Sequence, residues 1–448
     1  MYQRTLTFID RIRKNGLAKW FIFVLASSLL ISLLLSSMGM NPNVLFYLSK
    51  FLSGNEKSGQ GDSWTAMTEA LTYLRKHPMD SVYEAMFAIK LKFQYPLSSL
   101  LLFDIPNRVF GWSYYGIANL LDMISRASII GTGLVSAKIL TLVLHEKRFE
   151  KLQIASRFTT VALYVLVFAL MLLFYPLLRS YYLGQIQTIL TFLTVLSILC
   201  WQYNRRMMAG ILIGLICVVK PQLGVLFLWG LIRKQWKMFF AGMVVLGIFS
   251  AISIAFYGFK NNMQYLEVLS YLSHHGETYY PNQSINGLVN RFTFNGVILD
   301  WDGKFPPYSD VVYFITVISS ATIMLISLFW NYTTKYPHII DFCLVILCTT
   351  IASPIAWEHH YGILFPIFII LSPYACYYNE EKKVALLLFG FGFLLASQYF
   401  EAVKYLADSR WNVLQSYLFF GAVIIVAFLF QVSYRINRKR KDEPSLLK

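Results

Sequence analysis

The chain has 448 residues, of which 57% are hydrophobic and only 14% charged, with 39 basic against 23 acidic side chains and a net charge of +16. A soluble protein of this length cannot leave so few charges on its surface, so lipid is the solvent for most of the chain. The basic residues sit between apolar runs rather than on one soluble domain, which excludes a nucleic-acid-binding module and makes the charge chiefly a matter of topology.

Arg4, Arg11, Arg13, Lys14 and Lys19 precede an apolar run from Trp20 to Met38, long enough to be a first membrane helix rather than a cleaved signal. Hydropathy places the apolar segments near 20–39, 113–144, 158–178, 186–202, 207–219, 221–232, 238–257, 311–330, 338–352, 361–377, 384–399 and 413–433, about twelve transmembrane segments in all. Residues 40–110 form a first extracytoplasmic loop with an amphipathic stretch at 64–76 and, after Tyr95-Pro96-Leu97, an apolar stretch 97–103 that predicts an interfacial or re-entrant helix. Lys220-Pro221 breaks 207–232, because Pro221 lacks a backbone donor and disfavours helix at Lys220. The spacing predicts two short helices forming a hairpin, as irregular backbone at membrane depth is tolerated where it is buried in protein or lines a cavity. Residues 258–309, rich in Tyr, Asn, Gly and Pro, predict a second long extracytoplasmic loop, and 434–448 a basic cytoplasmic tail. With the N-terminus inside, the inner loops and tails hold 23 basic residues against 14 outside, 7 of them in the one long loop 40–110. Both termini are then cytoplasmic. The expectation is one integral all-α polytopic domain over 1–448, in a bacterial plasma membrane. Cys200, Cys217, Cys343, Cys348 and Cys376 lie in or beside apolar spans without metal or redox spacing and read as small core residues.

On this topology the polar clusters that interrupt the spans gather on the outer side. They are Gly61-Asp62-Ser63-Trp64, Gly184-Gln185-Ile186-Gln187, Lys220-Pro221-Gln222, Asn282-Gln283-Ser284 and Trp357-Glu358-His359-His360. Asp62 opens the amphipathic stretch and is either a helix N-cap or a general base at the mouth of a lipid-facing cavity; both hold if only one oxygen caps. Lys220, beside a proline that opens the backbone, predicts an anionic partner, for which a lipid phosphate fits, helped by the positive end of the following helix. Arg179 and Arg291 are outer cations that could share that phosphate or be surface charges. Adjacent histidines cannot share a helix face, so one of His359 and His360 at most faces a cavity, with a structural role as the other reading. No third ligand stands at a recognised spacing, so no metal site is predicted. Trp357 and Tyr361 could stack on a sugar or belong to the interfacial belt. Asp300-Trp301-Asp302 has the spacing of a nucleotide-sugar metal motif but stands as three residues in a loop. Asn282-Gln283-Ser284 fits a glycosylation sequon and equally an amide-rich loop over the cavity. Asp122 and Arg126, four apart in a span, predict a structural ion pair.

Taken in order, these residues resemble glycosyltransferase family 87 of the GT-C superfamily of membrane glycosyltransferases, which includes polyprenol-phosphate-mannose-dependent α-mannosyltransferases. The likeness rests on Asp62, Tyr83 and Tyr95-Pro96, Gly184-Gln185, Gly210, Gly214 and Lys220-Pro221, Asn282-Gln283-Ser284, and Ser353-Pro354 leading to Trp357-Glu358-His359-His360. The resemblance implies a GT-C-like bundle, a sugar donor carried on a polyprenyl monophosphate as co-substrate, a glycolipid or glycan acceptor, no obligatory cofactor and an inverting single displacement. It implies Asp62 as base, with His359 or His360 assisting near the donor phosphate. Lys220, Arg291 and Arg179 would meet that phosphate, while Trp64, Tyr95, Gln185, Gln187, Gln222, Asn282, Gln283, Trp357 and Glu358 would line the substrate cavity. Ser63-Trp64, Leu97 and Gln187 depart from the common pattern and bear on acceptor preference.

Two other classes compete. A transporter or flippase of a phosphate-bearing lipid or sugar would use the same cations, but it should show internal repeats and midplane charges. A polymerase or ligase of lipid-linked glycans should carry an arginine-rich outer loop, and 258–309 holds only Arg291.

Overall fold

The computed structural model describes residues 16–54, 61–146, 148–149, 157–301, 303–334 and 337–442. Arg4, Arg11, Arg13, Lys14, the stretch 55–60 and Asp302 of the Asp-x-Asp pattern lie outside the described residues, as do the side chains of Lys439, Arg440 and Lys441. Among the described residues the chain is helical, with no strand beyond one antiparallel bridge between Asn282 and Trp357.

The helices in chain order are α1 (Gly16–Ser37), α2 (Val44–Ser53), α3 (Asp62–Lys76), α4 (Val82–Ala88), α5 (Leu101–Phe110), α6 (Tyr114–Leu144), α7 (Arg157–Leu172), α8 (Tyr175–Tyr182), α9 (Gln187–Gln202), α10 (Arg206–Val219), α11 (Val225–Ile232), α12 (Trp236–Tyr257), α13 (Phe259–His275), α14 (Ile285–Phe292), α15 (Asp310–Phe329), α16 (Ile339–Ile351), α17 (Leu364–Tyr378), α18 (Lys383–Ser397) and α19 (Tyr417–Asp442). All twelve apolar segments carry helix. Among the described residues, six helical stretches are long and apolar enough to cross a membrane, and a seventh arises if α7 and α8 count as one span bent by 57°. The bend falls just before Tyr175-Pro176, where the proline cannot donate back into the preceding turn. The remaining five segments, α9, α10, α11, α16 and α18, are shorter.

Burial sorts these helices. Every residue of α16 is buried, as is α17 from Leu364 to Ala375, so these uniformly apolar helices form the centre of the bundle. In contrast, α12 and α15 bury few residues and present most of their apolar surface outward, as lipid-facing helices do.

Lys220 breaks the 207–232 segment in the expected way. Its backbone is extended at φ −133° and ψ 92°, followed by a 3-10 turn at Pro221–Gly224. A Cβ on Gly242 of α12 would lie 3.0 Å from the Gly210 carbonyl and 2.1 Å from the Phe227 ring. One continuous helix would hold residues 210 and 227 roughly 25 Å apart. The chain therefore doubles back, and both arms pack on α12. Gly210 and Gly242 permit the close approach, the usual device where packing rather than water drives helix association.

The two long loops are more helical than their composition suggests. Residues 258–309 contain the 17-residue α13, bracketed by Gly258 at φ +80° and Gly276 at φ +63°. The Tyr and Asn residues expected to shape a loop instead face a helix against 40–110: Tyr265 meets Tyr83 and the Asn261 amide donates to the Pro78 carbonyl. In the first loop, buried Asp104 binds Arg75, Arg108 and the Tyr257 hydroxyl, tying α3 and α5 to the end of α12. The predicted Asp122–Arg126 pair is a correction. Asp122 accepts from the Trp64 indole at 2.7 Å, while Arg126 donates to the Leu52 carbonyl at 3.0 Å and lies over Phe51. These partners come from other elements, which a four-residue spacing on one helix cannot reveal.

Candidate active site

Two polar networks meet at the turn Gly184–Gln187, between α8 and α9. The first contains Asp62. Gly61, not Asp62, occupies the N-cap of α3, so the carboxylate belongs to the first helical residue and is exposed. Gln185 Nε2 donates to Asp62 Oδ2 at 3.1 Å, and Gln185 Oε1 accepts from Ser63 Oγ at 2.9 Å. Ser63 Oγ also lies 2.9 Å from the Tyr95 hydroxyl and accepts from the Ile186 backbone N–H at 3.1 Å. The glutamine side chain is thereby fixed, and it holds the carboxylate through one oxygen.

A backbone crossing sets this register. Asp62 N–H donates to the Leu183 carbonyl at 2.8 Å and Ser63 N–H to the Gly184 carbonyl at 3.3 Å. A Cβ on Gly61 would stand 2.5 Å from Gly184 Cα, and one on Gly184 2.4 Å from Gly61 Cα, with Gly184 at φ +60°. Only glycine lets these backbones touch. Gly184→Ala is expected to lower stability by about 3 kcal/mol through clash and left-handed strain. Thermal unfolding in detergent measures this, with Gly247→Ala, where a Cβ meets nothing within 4 Å, as the neutral control.

The second network centres on Lys220. Its Nζ donates to Gln187 Oε1 at 2.9 Å and lies 2.6 Å from His360 Nε2. An ammonium only donates, so His360 Nε2 accepts and the ring proton sits on Nδ1, a buried atom with no protein partner. His360, rather than His359, joins the cation; His359 meets it edge to face at 4.7 Å. Two of the three ammonium donors are taken, which leaves one for an anion. Gln222 is half-buried in the turn that follows.

A third group packs behind the histidines. The Tyr175 hydroxyl donates to Glu358 Oε2 at 2.6 Å, and Glu358 Oε1 is buried without a protein partner. Arg179 donates to the Tyr47 hydroxyl at 2.6 Å and interacts electrostatically with Glu358 and His359. Arg179 lies on α8, the helix packed against the Glu358–Ile363 turn.

Other predicted residues are scaffold. Asn282 is fully buried; its Nδ2 donates to the Glu277 and Pro354 carbonyls, and its Oδ1 accepts from Ala356 N–H. That closes the sequon reading and pins the Trp357 strand segment to the loop. Gln283 bridges the Tyr280 and Gln415 carbonyls. Arg291, expected on a phosphate, is wholly buried and spends its guanidinium on the Tyr280 and Asn282 carbonyls and Ser416 Oγ. Trp64 is core, its indole held by Asp122. Trp357 is half-buried beside Tyr279 and Trp301. The residues not foreseen are Ser63, Tyr175 and the Gly61–Gly184 contact. Ser63 and the glycines lay within the polar clusters, but nothing in the order of residues says which cluster touches which. Among the described residues, no three His, Cys, Asp or Glu side chains converge as a metal site.

Long apolar helices around these polar clusters make this an integral membrane protein. The model of glycosyltransferase family 87 matches residues 93–354, more than half of the chain. The chain belongs to that family and is a glycosyltransferase. The match takes in Tyr95, Gln185, Lys220 and Asn282, and leaves Asp62 and the histidine pair on either side of it. No curated protein matches the chain. Family membership sets the transporter and flippase readings aside.

Proposed function

We propose that the protein moves a sugar, mannose in the first instance, from a polyprenyl monophosphate to a glycolipid or glycan acceptor, with inversion, at the extracytoplasmic face of the membrane. The observation that carries this reading is the turn Gly184–Gln187: Gln185 holds Asp62 while Gln187, two residues on, holds Lys220 against His360. A carboxylate and a cation–imidazole pair thereby share one rim. Asp62 takes the proton from the acceptor hydroxyl as its oxygen attacks the anomeric carbon. The bond to the phosphate oxygen breaks on the opposite face, where Lys220, with Arg179 nearby, stabilises the charge that develops on the lipid phosphate. His360 orients the ammonium. The reading requires no resident cofactor, because protein cations meet the leaving group. Both termini are cytoplasmic by the distribution of basic residues, and the chain acts as one integral domain.

The test is transfer by purified protein in lipid nanodiscs, offered radiolabelled polyprenyl-phosphate-mannose or a nucleotide-activated mannose with candidate glycolipid acceptors. Product from the lipid-linked donor alone is expected. Transfer from the nucleotide sugar only would remove the donor assignment. Cysteine labelling at the exposed positions Glu69 and Glu267 in intact cells checks the sidedness; reaction from the cytoplasm would reverse it.

A further inference from the structure

One aromatic surface next to this rim has no part in the chemistry above. Trp301 is 48% exposed although it sits among other rings. Lys92 Nζ lies 4.2 Å from its ring centroid and so covers one face. Tyr279 and Trp357 lie 5.5 and 5.6 Å from it at interplanar angles of 54° and 64°, so neither stacks flat on the indole. Nearly half of the indole surface stays open, with no ring stacked flat against it. Exposed Asp300 and Lys304 flank it in the chain, charged neighbours that favour water over lipid tails.

Its position is fixed from below. Lys92 donates to Glu277 at 2.6 Å and to the Lys304 carbonyl at 2.8 Å, and Glu277 accepts from Tyr279 N–H at 3.3 Å. Burial pushes the Glu277 carboxyl up, against the pull of Lys92 and two backbone N–H groups. A rigid, exposed aromatic ring is what packs on the C–H side of a pyranose, and the ion pair removes the entropy that a mobile loop would lose on binding. The location favours the acceptor. Lys92 is three residues from Tyr95, which belongs to the Asp62 network, so an extended segment spans roughly 10 Å between them. On the other edge, Trp357 leads directly into Glu358–His360.

We propose that the exposed indole of Trp301, beside Tyr279 and Trp357, is the stacking platform for a pyranose ring of the acceptor. This rests on the acceptor being a glycan or glycolipid, but not on the identity of the donor. The test is binding without donor: saturation-transfer NMR on nanodisc-held protein with the methyl α-pyranosides of mannose, glucose and galactose. Transfer to the ring protons of at least one is expected. Trp301→Leu, which keeps an apolar side chain without an aromatic face, weakens binding by about tenfold, and Trp301→Phe retains most of it. In the transfer assay Trp301→Leu raises KM for the acceptor by the same factor and leaves KM for the donor unchanged. No saturation transfer to wild type, or equal transfer to Trp301→Leu, overturns the platform. If sugar binding persists while polyprenyl-phosphate-mannose is not used, the donor assignment alone falls.

Discussion

Replacing Asp62 with asparagine is expected to slow glycosyl transfer about a thousandfold while leaving the fold intact. The two halves of this expectation come from different atoms. The backbone of residue 62 makes the contact to Leu183 that holds α3 on the Gly184 turn, and any residue preserves it. Asparagine can also present an oxygen to Gln185 Nε2, as Asp62 Oδ2 does. What it cannot do is accept a proton from a hydroxyl. The thermal midpoint should therefore match wild type, and KM for the acceptor should change less than kcat. The measurement is initial rate against acceptor concentration at saturating donor. Undiminished turnover would assign the base elsewhere, and a matching loss of stability would make Asp62 a structural residue.

The fold was legible in the sequence because lipid imposes a simple rule: each apolar run must close its own hydrogen bonds, and helix does so. All twelve runs are helical, and Lys220-Pro221 marks the reversal that Gly210, Phe227 and Gly242 record in space. Less legible were the polar residues, since depth in the membrane is a one-dimensional property and contact is not. Asp62, Gln185, Gln187, Lys220 and His360 were gathered at one depth, and the structure brings them into two networks across one turn. Arg291, Asn282 and Gln283 share that depth but face inward, where they satisfy loop carbonyls that lipid and core cannot. A polar side chain in an outer loop has these two uses, and hydropathy does not separate them. The length of α13 is hidden in the sequence for a related reason: its tyrosines and asparagines are unfavourable for a free helix, but packing on α4 and the first loop overrides the preference.

Lys220→Met is expected to reduce kcat/KM by about 10²-fold, and the loss should fall on the donor side of the reaction. Lys220 is half-buried at the hairpin break, where Pro221 stops α10 from continuing and its extended backbone turns the side chain to Gln187 and His360. Methionine fills the same space without a charge, so the hairpin should survive; the Gln187 carbonyl and His360 Nε2 lose one donor each. The missing positive charge is felt most when the bond to phosphate breaks, since charge then builds on an oxygen in surroundings of low dielectric. Binding of an unreactive polyprenyl phosphate, followed by competition against the donor, separates this from a change in sugar recognition. Weaker competition is expected in Lys220→Met and partial recovery in Lys220→Arg, which restores the charge on a longer, planar group that fits the turn less well. Equal competition in all three proteins would place the phosphate elsewhere, and Arg179, on the helix packed against Glu358–Ile363, would become the first position to probe.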